Sequence, residues 1–94
     1  MQKITITLRY FAQIRETTGK KEEQIVLDKG NSVSDALGKL YEIYGEKFFQ
    51  SVFNGNKPKE DLTFLVNGQA VIDLNKRNLK EGDVLAILPP ISGG

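Results

Sequence analysis

The sequence carries little of the usual catalytic equipment. It contains no cysteine and no histidine, which removes thiolate nucleophiles, imidazole bases, Cys/His zinc sites and disulfides together. What stands out instead is the ending Leu88-Pro89-Pro90-Ile91-Ser92-Gly93-Gly94. Pro89 has no amide donor, so a strand must stop before it, and its ring biases Leu88 towards an extended backbone. Two successive prolines make a stiff, extended spacer. Ile91 then offers one apolar anchor and Ser92 one small polar contact. Gly93 and Gly94 lack a Cβ, so the final peptide can thread a channel too narrow for side chains. Small residues at a chain end are ordinary in themselves, and a terminal Gly-Gly arises by chance in roughly one chain in 200. Here the pair follows an apolar strand and a rigid spacer. The chemistry is therefore expected at the Gly94 carboxylate, with Leu88, Pro89, Pro90, Ile91, Ser92 and Gly93 as the segment a partner grips.

The rest of the chain must hold that ending. Its 94 residues, 39% of them hydrophobic, suit one small core. Residues 1–88 are expected to form one domain and residues 89–94 an extended tail. Ile4, Ile6, Leu8 and Tyr10 alternate with Thr5, Thr7 and Arg9, which predicts a half-buried strand over residues 3–10. Phe11–Thr18 has no clean period and reads as one helical turn at most, ended by Gly19-Lys20. Glu23–Leu27 predicts a second strand, with Lys20-Lys21-Glu22-Glu23 as the solvated turn of that hairpin. Ser32 and Asp35 read as a helix start. Val33, Leu37, Leu40, Tyr41 and Tyr44 then form one apolar stripe that ends at Gly45.

A short second helix is expected over residues 46–53. The aromatic cluster Tyr41, Tyr44, Phe48, Phe49 and Phe53 is read as core rather than as a binding groove. Asn54–Asp61 is a polar loop with no apolar anchor. Leu62–Val66 and Gln69–Ile72 flank Asn67-Gly68, the preferred dipeptide of a two-residue hairpin. Leu79–Asp83 gives one more turn. Val84–Leu88 is apolar without alternation, as expected of a central strand covered on both faces. The order β-β-α-β-β-β, with a single long helix, predicts an α+β fold: a ubiquitin-like β-grasp with a mixed sheet of about five strands and one main helix on one face.

Charge narrows the partners. Thirteen basic and twelve acidic residues leave a net charge of +1, without the concentrated basic footprint of a nucleic-acid binder. No apolar run is long enough to span a bilayer. Met1–Leu8 alternates rather than forming the apolar block of a signal peptide. A cytoplasmic protein that binds neither nucleic acid nor membrane is expected.

The segment Tyr10-Phe11-Ala12-Gln13-Ile14-Arg15-Glu16, the Glu81-Gly82-Asp83 turn and the Pro-Pro-Ile-Ser-Gly-Gly ending together resemble the MoaD family. Its members are the small subunits of molybdopterin synthase and, with the ThiS proteins, ubiquitin-like sulfur carriers. ThiS proteins share the fold and the diglycine but are usually shorter and lack the Pro-Pro ending. The long polar loop at Asn54–Asp61 is similar to archaeal members, some of which act as small modifier proteins joined to lysines.

The resemblance implies a mechanism in which the catalytic side chains belong to partners, so the chain would be a non-catalytic sulfur-donor subunit. A MoeB-like enzyme would use ATP to adenylate Gly94, and a sulfur donor such as a rhodanese or cysteine desulfurase would convert it to a thiocarboxylate. In complex with a MoaE-like large subunit, that sulfur would pass to the pterin precursor of the molybdenum or tungsten cofactor. No cofactor would be stably bound to the chain itself. With the tail aligned to the ubiquitin register, Leu85 and Ile87 would face inward and Ala86 and Leu88 would face partners. Conjugation of Gly94 to target-protein lysines, or a thiamine-type carrier role, stays open beside this reading.

Overall fold

The computed structural model describes residues 2–90. The first strand, β1 (Lys3–Tyr10), buries Ile4, Ile6, Leu8 and Tyr10 and turns Lys3, Thr5, Thr7 and Arg9 to the other face, as the alternation requires. A short helix α1 (Ala12–Thr18) follows and buries Ile14 and Thr18. It is fully formed over seven residues rather than a single turn. Gly19, at φ 76°, supplies the left-handed cap and donates its N–H to the Arg15 carbonyl, a conformation that costs glycine nothing. Strand β2 (Glu22–Asp28) then pairs antiparallel with β1.

The main helix α2 (Val33–Tyr44) opens on a full capping box: the Asp35 N–H donates to Ser32 Oγ, and the Ser32 N–H donates to the Asp35 carboxylate. Val33, Ala36, Leu37 and Leu40 are buried on its inner face, the stripe expected from the sequence. Helix α3 (Glu46–Val52) buries Phe48, Ser51 and Val52. Of the aromatic cluster, Phe48 is fully buried while Tyr44 and Phe53 pack against the core. Tyr41, Phe49 and Phe53 form a row with ring centroids 5.0 and 4.9 Å apart, and Tyr41 reaches the surface.

The polar stretch after α3 is more ordered than its composition suggests. Phe53–Asn54 (β3) and Lys57–Pro58 (β4) form a small hairpin, and the Lys59 N–H ties it back to the Val52 carbonyl. Phe53, at its base, supplies the apolar anchor. Strands β5 (Thr63–Val66) and β6 (Gln69–Ala70) follow. They turn at Asn67-Gly68, where both residues have positive φ (53° and 84°), the signature of a type I′ hairpin. The last strand is β7 (Val84–Leu88).

The main sheet has the order β2-β1-β7-β5-β6. β7 is central: it runs parallel to β1, with Thr7 opposite Val84, and antiparallel to β5. One core cluster joins the inner face of this sheet to all three helices, with Leu74 and Leu79 closing one end. This is the α+β β-grasp with one main helix; α3 is the short second helix expected after Gly45, α1 extends the helical turn read after Tyr10, and the β3–β4 hairpin is an addition to the predicted order.

Candidate functional site

Everything that positions the tail converges on β7. Leu85 and Ile87 are fully buried, whereas Val84, Ala86 and Leu88 are half-buried on the opposite face. The helices pack on the inner face, so the outer side of this central strand is only partly covered. The inward and outward residues are those expected, but the expectation of two covered faces is corrected. On the outer face Ala86 lies between Arg9 of β1 and Leu65 of β5, Leu65 faces Ala70, and Leu88 lies beside Thr63. The result is an apolar strip of Val84, Ala86, Leu88, Leu65 and Ala70, bordered by the exposed pair Arg9–Glu22 at 4.0 Å.

The start of β7 is fixed by a polar clamp. Asn67 Nδ2 donates to Asp83 Oδ1 at 2.8 Å, and Asn67 Oδ1 accepts from the Val84 N–H at 2.9 Å. Asp83 Oδ2 accepts from the Lys80 N–H at 2.8 Å, and the Asp83 side chain is almost fully shielded. Glu81 Oε1 accepts from the Thr5 N–H, the Gly82 N–H donates to the Thr5 carbonyl, and the Thr7 N–H donates to the Asp83 carbonyl. The sequence marks both turns; their joining through Asn67 and Asp83 needs the sheet order.

At the other end of β7, Pro89 is half-buried and Pro90 exposed. With Phe11, Ala12, Ile14 and Leu62 they line a groove of about 270 Å³. Ala12 sits at φ 50° in the left-handed region, a strained conformation for a residue with a Cβ. Arg15 extends its guanidinium over the Phe11 ring, 5.8 Å from the centroid, which makes it a loop anchor. Leu88, Pro89 and Pro90 thus lie together at the strand exit. The remaining expected residues, Ile91, Ser92, Gly93 and Gly94, fall outside the described residues.

Sequence reasoning missed one polar centre. Glu23 lies in β2, as the strand expected over Glu23–Leu27 requires, but its side chain is only 14% exposed instead of solvated as the Lys20–Glu23 turn reading has it. The expected turn is short because Gly19 ends α1 and the chain enters β2 at once, which turns Glu23 inward. Its carboxylate accepts hydrogen bonds from Tyr10 Oη at 2.5 Å and from Tyr44 Oη, and Lys20 Nζ lies 3.1 Å away. Burial pushes the Glu23 carboxyl up, but the Tyr10, Tyr44 and Lys20 hydrogen bonds outweigh it and hold the group below its ordinary value. Burial, then Glu23, raises both phenols. This knot ties β1, β2 and the end of α2 together immediately behind the loop beside Pro89. The only sequence signal was the inward parity of Glu23 with Ile25 and Leu27.

Among the described residues no cluster of three or more acidic side chains could hold a metal ion, and no helix is long and apolar enough to cross a membrane. A family model described as the ThiS family matches residues 8–94. The chain belongs to the ThiS family. A relative named molybdopterin synthase sulfur carrier subunit, from Chlamydomonas reinhardtii, is 34% identical over 95% of this chain and 98% of its own length. The ThiS-family fold is also seen in the crystal structure of SAMP1, a small archaeal modifier protein of Haloferax volcanii. It superposes with a TM-score of 0.84 and 28% identity over 96% of this chain and 99% of that one. In a structure from Helicobacter pylori, subunits 1 and 2 of molybdopterin-converting factor form a complex; the match has 28% identity and a TM-score of 0.58, covering 97% of this chain and 100% of that one.

Proposed function

We propose that this protein is the sulfur carrier subunit of a molybdopterin synthase, acting through the carboxyl group of Gly94. The observation that carries the reading is the family match running to residue 94, together with full-length similarity to a protein of that name. The Pro-Pro-Ile-Ser-Gly-Gly ending follows directly from the central strand of the sheet.

In this reading a carboxylate, itself resistant to nucleophiles, is adenylated by an ATP-using partner. A sulfur nucleophile then adds and AMP leaves. Sulfide gives the thiocarboxylate directly, whereas a persulfide donor gives an acyl disulfide. A second thiol cleaves that S–S bond, releasing the thiocarboxylate and leaving the donor as a disulfide. The chain contributes position and recognition, and partners supply the catalytic groups. The apolar strip of Val84, Ala86, Leu88, Leu65 and Ala70 is the docking face for the activating enzyme and a large synthase subunit, beside the tail they receive. The Helicobacter pylori complex supports a two-subunit assembly. The protein works in the cytoplasm, where ATP-dependent activation takes place.

Intact mass spectrometry after incubation with an activating enzyme, ATP and a sulfur donor tests the reading. The expected product gains the mass difference between sulfur and oxygen, and loss of Gly94 abolishes it. An unchanged mass with a competent activating enzyme overturns it. The likeness to the archaeal modifier SAMP1 favours a second reading, in which activated Gly94 acylates lysines of other proteins. That reading expects conjugates of increased mass in place of the thiocarboxylate.

A further inference from the structure

Strand β1 meets the exit of the tail at its last residue. Tyr10 is the Cα partner of Ile87 on β7, two residues before Pro89. Phe11 and Ala12 then line the groove that they share with Pro89 and Pro90. Two anchors fix the backbone on either side of this corner. On the β1 side the Tyr10 N–H donates to the Lys21 carbonyl at 2.8 Å, and the phenol of this fully buried residue donates to Glu23 at 2.5 Å. On the α1 side the Phe11 carbonyl accepts from the Ile14 and Arg15 N–H groups, and the Arg15 guanidinium covers the Phe11 ring.

Ala12 lies between these anchors at φ 50°. Asn67 has a similar φ of 53°, but its side chain is locked by bonds to Asp83 and Val84, and asparagine tolerates this region. Alanine has no such side chain, so its left-handed conformation persists only where the flanking structure holds it. On the strand side the Tyr10–Glu23 bond is the side-chain part of that hold. Tyr44 binds the same carboxylate from the end of α2. Its chain neighbours, Ile43 and Gly45, are not part of the groove.

We propose that Glu23 is a positioning residue for the tail: through the Tyr10 phenol it holds the Phe11–Ala12 corner, and that corner sets the direction in which Pro89 and Pro90 leave the sheet. The role rests on the sulfur-carrier reading, in which an activating enzyme receives the Gly94 carboxylate while it grips the outer apolar strip. Tyr10 and Glu23 belong to the inner face, opposite that strip. Four residues follow Pro90 and span at most about 14 Å, so a tilt of about 10° at Pro90 displaces a fully extended end by about 2 Å. A misplacement of about 1 Å can slow a reaction ~100-fold. Losing the Glu23–Tyr10 bond therefore acts on the rate of activation and leaves docking intact. A loss of stability alone acts the other way: it lowers the competent fraction, which raises the apparent KM and spares kcat.

The test uses the full chain as the substrate of a MoeB-like activating enzyme, with adenylation followed by ATP–pyrophosphate exchange. Glu23→Gln and Tyr10→Phe should each lower kcat at least about five-fold, with the KM for the chain nearly unchanged. Tyr44→Phe removes the other phenol from the same carboxylate and should leave both constants as in wild type. Amide chemical shifts and residual dipolar couplings of the free chain give an independent reading. In Glu23→Gln the signals of Phe11, Ala12, Gln13 and Leu88 should move, and in Tyr44→Phe they should stay in place. Equal kcat losses in the two tyrosine variants, a rise in KM alone, or an unmoved Phe11–Gln13 corner in Glu23→Gln would each overturn the proposal. A wild-type chain that the activating enzyme fails to adenylate overturns the sulfur-carrier reading instead. The shift comparison then decides by itself whether Glu23 holds the corner.

Discussion

Replacing Glu23 by glutamine should destabilise the fold by about 2 kcal/mol at neutral pH. The side chain is 14% exposed and accepts two phenolic hydrogen bonds. Bonds to an ionised acceptor contribute about 1.5–3 kcal/mol, against about 1 kcal/mol for neutral pairs, so neutralising the shared acceptor costs roughly 1 kcal/mol per phenol. Lys20, whose own side chain is half exposed, adds little. For a domain of this size the loss corresponds to a fall in Tm of about 8–16 °C.

The pH dependence gives a sharper check. The Glu23 carboxyl is held below its ordinary value of 4.5, so its contribution is present above that pH and disappears as the pH falls through the lower, folded-state value. The gap between wild type and Glu23→Gln should therefore close in acid. The Tyr10 and Tyr44 phenols are raised above 10.0. Their contribution holds below that pH and is lost as the pH rises towards their folded-state values. Thermal and urea unfolding followed by circular dichroism across pH would measure both effects. A Tm change of less than ~3 °C at neutral pH, or a gap that does not narrow in acid, would refute the reasoning.

Asp83→Ala should cost about 2–3 kcal/mol, because it leaves the Lys80 N–H and Asn67 Nδ2 without their acceptor; urea denaturation would show it. Ala12→Gly should be neutral or stabilise by up to ~1 kcal/mol, since relief of the left-handed strain offsets the added chain entropy; a clear fall in Tm would count against strain at that site. Leu88→Asp should leave the fold intact yet weaken association with an activating enzyme by at least ~2 kcal/mol, by setting a charge into the apolar strip. Calorimetric titration would read that loss.

Much of the architecture was legible because it rests on local chemistry. The alternation at Ile4–Tyr10, the Ser32–Asp35 capping box, the Asn67-Gly68 turn and the uninterrupted Val84–Leu88 run each specify an element within a few residues. The inward parity of Leu85 and Ile87 also followed once the ubiquitin register was adopted. What escaped depends on contacts between distant segments. Glu23 looks like one charge in a run of four, and only the approach of Tyr10 and Tyr44 makes it a buried acceptor. The β3–β4 hairpin has a polar sequence, and Phe53 together with the Lys59–Val52 bond orders it. At the candidate site, Leu88 and the two prolines could be placed by strand-breaking chemistry alone, whereas Leu65 and Ala70 joined the apolar strip only through the sheet order.

The pairing of Thr7 with Val84 has a consequence for synthesis. β1 is made well before its central neighbour β7, so the middle of the sheet stays open until β7 follows. Contacts so far apart in sequence are slow to close, and a nascent chain lacking β7 would expose Leu8 and Tyr10 along an unpaired strand. A product stalled before β7 therefore lacks the strand that joins β1 to β5, and with it the centre of the sheet.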